Sequence, residues 1–169
     1  MTQRTRTIEW QDPQRTAAAA HGRSGLDFLR AIIDGSVPPP PIAATLGFDL
    51  VHAEEGVVRF RGEPAEYQYN PMAGVHGGWS CTLLDSAMGS AVMSALTAEE
   101  AYTTTQLSVY LVRPILADTG PLVAEGKLVH RGGRVATAEG RLVDDEGKLY
   151  AHGTTSCLLM PRAGSRPST

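Results

Sequence analysis

Asp85 is the only formally charged residue between Glu66 and Glu99, in the run "YNPMAGVHGGWSCTLLDSAMGSAVMSAL". At the chain-wide charged fraction of 20%, about six charges would be expected there. A carboxylate can act as general base or as nucleophile, and burial among apolar neighbours is costly unless it is paired, hydrogen-bonded or partly wet. Its helical neighbours three and four positions away are Cys81, Thr82, Met88 and Gly89, none of them a cation. Support must therefore come from tertiary or quaternary contacts, or from water. Two readings stand: Asp85 does chemistry, or it bonds across an interface.

The helix is entered through "NPMAGVHGGW", an irregular glycine-rich loop. Helix N-termini expose N–H groups with partial positive charge, so Gly77 or Gly78 can offer an amide to a carbonyl oxygen becoming an oxyanion. Asp85 follows Gly77 by eight positions, about 12 Å along a helix axis. One helix cannot bring both groups to one reacting carbon. Two antiparallel helices across a two-fold axis could, which predicts an active site shared between chains.

Other chemistries fit poorly. "GWSCT" is no G-x-S-x-G elbow, and no strand leads into it. His52, His76, His130 and His152 show no paired metal-ligand spacing, so no metal is expected. Cys81 and Cys157 form no CxxC pair, and each reads as a buried thiol. A net charge of -3 gives no reason to expect nucleic acid or an anionic membrane as partner. No run of eighteen apolar residues predicts a membrane span, and the N-terminus lacks the apolar core of a secretory signal. The expected address is the cytoplasm.

The elements around the long helix follow from pattern. Residues 1–25 read as a mobile arm, and residues 26–41 as a helix, "LDFLRAIID", followed by a stiff Pro-rich spacer. Residues 42–161 form the main domain, and residues 162–169 a frayed tail. Two short strands turn at Glu54-Glu55-Gly56 before the helix. After it, "TTTQLSVYLVRP" alternates with period two and stops at Pro114. Three further strands turn at Gly132-Gly133, read as a two-residue turn, and at Asp145-Glu146-Gly147. The plan is four antiparallel strands in hairpin order, an α+β sheet wrapped around one long central helix, with free edges that invite dimerisation.

Asn70, then His76-Gly77-Gly78, then Asp85 followed by small residues, resembles the hotdog-fold thioesterases of the PaaI-like (phenylacetate pathway) group. The resemblance spans roughly residues 42 to 161. It implies a hotdog fold, hydrolysis of acyl- or aryl-CoA thioesters, and a dimer or tetramer with interfacial sites. No cofactor is implied, since coenzyme A is part of the substrate. Carried onto this chain, Asp85 is nucleophile or general base and the Gly77 amide polarises the carbonyl. Asn70 orients the water or thioester, and Thr104 assists the carboxylate. One related branch has a threonine one turn after the acid, where this chain has Gly89. His76 either moves protons or organises the loop, and the resemblance points to the second. Arg131 and Arg134 could meet the nucleotide phosphates, or merely cap a solvated hairpin. Trp79 and Met72 could line the acyl pocket, or pack an interface. The competing class is a non-catalytic acyl-CoA-binding or scaffolding hotdog protein.

Overall fold

The computed structural model describes residues 3–162. Helices α1 (Pro13–Ala19), α2 (Gly25–Ile33) and α3 (Pro41–Leu46) precede strands β1 (Phe48–Glu54) and β2 (Val57–Gly62). A 3-10 turn at Glu66–Gln68 leads to the long helix α4 (Gly77–Met93). Strands β3 (Glu100–Leu111), β4 (Leu122–Arg131), β5 (Val135–Val143) and β6 (Leu149–Pro161) follow. All six strands form one antiparallel sheet that curls around α4, the hotdog arrangement.

Asp85 is the only charged residue along helix α4. Leu83, Leu84, Ala87, Met88, Ala91 and Val92 are fully buried against the sheet. Its seat is a row of glycines in register, Gly126 opposite Gly140 and Gly140 opposite Gly153. A Cβ on Gly126 would lie 2.2 Å from the Ala87 carbonyl oxygen, and one on Gly140 2.8 Å from Met88 Cγ. The absent side chain at Gly126 lets the helix backbone rest on the sheet, that at Gly140 leaves room for Met88, and Gly153 lies against Ser108 of β3.

The strand order is β1-β2-β4-β5-β6-β3, which corrects the expected hairpin order. Strands β4, β5 and β6 are hairpin neighbours, but β3 pairs with β6 at the far edge. The connection from Val112 to Pro121 holds Pro114 and Pro121 and is too long for a hairpin turn. It runs instead past the entry to α4, where the Val75 amide donates to the Ile115 carbonyl at 2.9 Å. A bulge between Thr104 and Gln106 lets Tyr102, Thr104 and Val109 all turn towards the helix.

Two smaller expectations change. The β4–β5 connection is three residues, 132–134, and neither glycine takes positive φ; Gly132 donates to the Val135 carbonyl at 2.9 Å. The Pro-rich run ends by starting a helix, because Pro41 sits at the first position of α3, where a missing N–H costs nothing. Within residues 3–25, α1 is capped by Asp12, and Arg6 donates to the Ala44 and Thr45 carbonyls while lying over the Tyr67 ring. Of the tail expected to fray, residues 163–169 lie outside the described residues. Among those described, no helix is long and apolar enough to cross a membrane.

Candidate active site

The loop before α4 is built by its own polar groups. Asn70 Oδ1 accepts from the Met72 amide at 2.8 Å and more weakly from that of Gly74, closing a tight turn in which Ala73 takes φ 59°. The backbone is strained there, since a Cβ disfavours positive φ. Gln68, buried, donates to the Leu46 carbonyl at 2.7 Å, and its own carbonyl accepts from the His76 amide at 2.8 Å. Trp79 Nε1 also reaches the Leu46 carbonyl, at 2.9 Å. The start of α4 is thereby pinned to the end of α3.

His76 is the N-cap. Its Nδ1 accepts from the Gly78 amide at 2.9 Å, and its carbonyl accepts from the Trp79 amide at 2.9 Å. The ring proton therefore belongs on Nε2 of a neutral imidazole. Gly77, at the first helical position, has no carbonyl behind it in the helix, and no acceptor meets its N–H among the described residues. Gly77 lines a cavity of about 300 Å³ together with Asn70, Val75, Ser80, Leu111 and Ile115 among others.

Asp85 is half-buried further along α4, and its Oδ1 accepts from the Thr104 hydroxyl on β3 at 3.1 Å. No cation pairs with it among the described residues. It lies on the one stripe of α4 that the sheet leaves open, with exposed Gly78 and half-buried Cys81, Thr82 and Ser86. Burial lifts the Cys81 thiol above its usual range. Burial also raises the Cys157 thiol, which faces Thr104 across the β3–β6 ladder. Tyr102 is held as a neutral phenol, chiefly by burial, with Cys157 and Asp85 adding to the effect. Its hydroxyl fills the space a side chain at Gly89 would take, 2.8 Å from where that Cβ would sit.

The fold thus gathers Asp85 with Thr104, and Asn70 with Gly77, but these two groups stand eight residues apart on one helix. The other candidates scatter. Trp79 is 3% exposed in the core, on the α3 side, and Met72 is 85% exposed at a loop tip. Arg131 pairs with Glu100, and Arg134 is exposed at the hairpin end. Two residues went unremarked in the sequence. Gln68 gives no local sign of its role, since its partners are backbone carbonyls. Ser80 is a small polar residue three positions after Gly77, a spacing that places both on one helix face. No cluster of three metal-binding side chains occurs among the described residues.

A family description of the thioesterase superfamily matches residues 72–151. A Halobacterium salinarum protein that carries an esterase name is 35% identical over 118 residues, covering 67% of this chain and 76% of that one. Among solved structures, a phenylacetic acid degradation-related protein of Ralstonia eutropha is 28% identical with a TM-score of 0.69, over 77% of this chain and 98% of that one. A Streptococcus mutans protein solved with acetyl CoA shares the fold at 23% identity and TM-score 0.61, over 69% of this chain and 90% of that one.

Proposed function

The chain belongs to the thioesterase superfamily, and from that premise we propose that it hydrolyses acyl- or aryl-CoA thioesters with Asp85 as the catalytic carboxylate. The observation that carries the reading is a lone acid on an otherwise uncharged helix, held by the Thr104 hydroxyl and paired with no cation among the described residues. The acetyl CoA held by the similarly folded Streptococcus mutans protein supports a CoA ester as substrate.

In the proposed reaction the Gly77 N–H donates to the thioester carbonyl oxygen, so charge developing on that oxygen meets a helix N-terminus. Asp85 takes a proton from water as the hydroxide adds to the carbonyl carbon. The tetrahedral adduct collapses, the C–S bond breaks, and the departing CoA thiolate receives the proton from Asp85. Acid and thiol leave, and the carboxylate is restored. Alternatively Asp85 itself adds to the carbonyl carbon and expels the thiolate, and water then cleaves the mixed anhydride. Single turnover in heavy-oxygen water tests the second route, because label enters the protein carboxylate only when an anhydride forms and water adds to its aspartyl carbon. His76 organises the loop, and Asn70 orients the attacking water or the ester.

The site is proposed to be shared, with Asp85 of one chain facing Gly77 of another. Leu107 and Leu111 support this: they lie on the helix side of β3 yet are 37% and 54% exposed, so the apolar face continues past the single chain.

Thiol release from a panel of CoA esters tests the function. The wild type should turn over at least one ester, and Asp85→Asn should lose about 10³-fold in kcat. Tight binding of every ester with no turnover by the wild type would instead favour a scaffolding role.

A further inference from the structure

The cavity beside Gly77 holds a group with no structural employment. Ser80 is 2% exposed, yet no hydrogen bond reaches its hydroxyl among the described residues. Ser80 is also one of the residues that line that cavity. By contrast Thr82, two residues on, turns its hydroxyl back to the Gly78 carbonyl at 2.9 Å. A buried hydroxyl without a partner lowers stability, and such groups are rare in folded chains.

Helix geometry says what this hydroxyl can reach. Ser80 follows Gly77 by three residues, so the two share a face about 4.5 Å apart along the axis. Cα–Cβ bonds tilt towards the helix N-terminus, which leans the Ser80 side chain over the turn that presents the Gly77 N–H. Val75, Leu111, Val112, Pro114 and Ile115 give the cavity an apolar wall, to which Asn70, its Oδ1 held by the Met72 amide, and Arg113, its Nε donating to the Leu149 carbonyl, also contribute. An oxygen bound by the Gly77 amide would find the Ser80 hydroxyl on the same helix face.

We propose that Ser80 is a second hydrogen-bond donor to the thioester carbonyl oxygen, acting beside the Gly77 amide as that oxygen gains charge. This rests on the thioesterase reading above. The hydroxyl keeps its proton throughout and transfers none; it strengthens its bond to the oxygen in the tetrahedral adduct and relaxes when the C–S bond breaks. Its effect belongs to kcat rather than KM, because the interaction grows in the transition state.

The test is steady-state hydrolysis of the best CoA ester by wild type, Ser80→Ala and Ser80→Thr, with Tm for each. Ser80→Ala should lower kcat about 100-fold with KM within about threefold. Its Tm should be equal to or above the wild type, since alanine favours helix and an unpaired hydroxyl is gone. Ser80→Thr, which keeps the hydroxyl, should stay within about tenfold of wild-type kcat. An unchanged kcat in Ser80→Ala overturns the proposal, as does a change confined to KM or a loss that accompanies a lowered Tm. Wild-type hydrolysis with an indifferent Ser80→Ala leaves the thioesterase reading intact, whereas a wild type inert on every ester removes both.

Discussion

At the mouth of α4 the amides of Gly78 and Trp79 already meet acceptors on His76, which singles out the Gly77 N–H. That selectivity can be tested with little disturbance. Position 77 is the first of the helix, and His76 before it is extended at φ -62° and ψ 132°, so proline fits there without breaking the helix. A Cβ at 77 meets only the movable end of Leu111, at 2.4 Å. Gly77→Ala and Gly77→Pro therefore share a steric cost, but only proline removes the N–H. Gly77→Pro should lose about 100-fold more kcat than Gly77→Ala. Equal losses would mean that the amide is not used. The residues behind this reading, Asp85, Gly77 and Thr104, were visible from charge depletion, loop composition and resemblance. Ser80 was not, because an unpartnered hydroxyl is a property of its surroundings and has no signature in the chain.

Among the elements, α4 and its seat are the most tightly constrained. The helix was legible as a long apolar run, and β3 as a period-two strand, because both signals are local. The place of β3 beside β6 was not, since a ten-residue crossover and a one-residue bulge leave no periodic trace. The glycine row is similarly hidden: Gly126, Gly140 and Gly153 are scattered in the chain and meet only through strand register. It predicts a sharp sensitivity. In Gly126→Ala the new Cβ would lie 2.2 Å from the Ala87 carbonyl, a backbone atom that cannot step aside without moving α4. The variant should lose at least about 3 kcal/mol by chemical denaturation, or fail to fold. A loss under about 1 kcal/mol would show that the helix is not seated on that row.

For the whole molecule, one chain is an incomplete enzyme on this account. The stripe of α4 that carries Asp85 is uncovered, and β3 ends the sheet with one edge unpaired and with Leu107 and Leu111 exposed on its helix side. Burying that face against a second copy would satisfy the strand edge and bring a second Gly77 within reach. The expectation of a partner rests on an elementary length, about 12 Å between two groups proposed to act on one carbon.

Mixing two inactive variants tests that claim most directly. Asp85→Asn and Gly77→Pro chains, each inactive alone, are unfolded together in equal amounts and refolded. A site built from two chains gives each mixed dimer one intact centre, the acid from one variant and the amide from the other. The mixture should then recover about a quarter of wild-type activity. A mixture that forms mixed dimers yet stays as inactive as its parents would place both groups within one chain's own site and contradict the account.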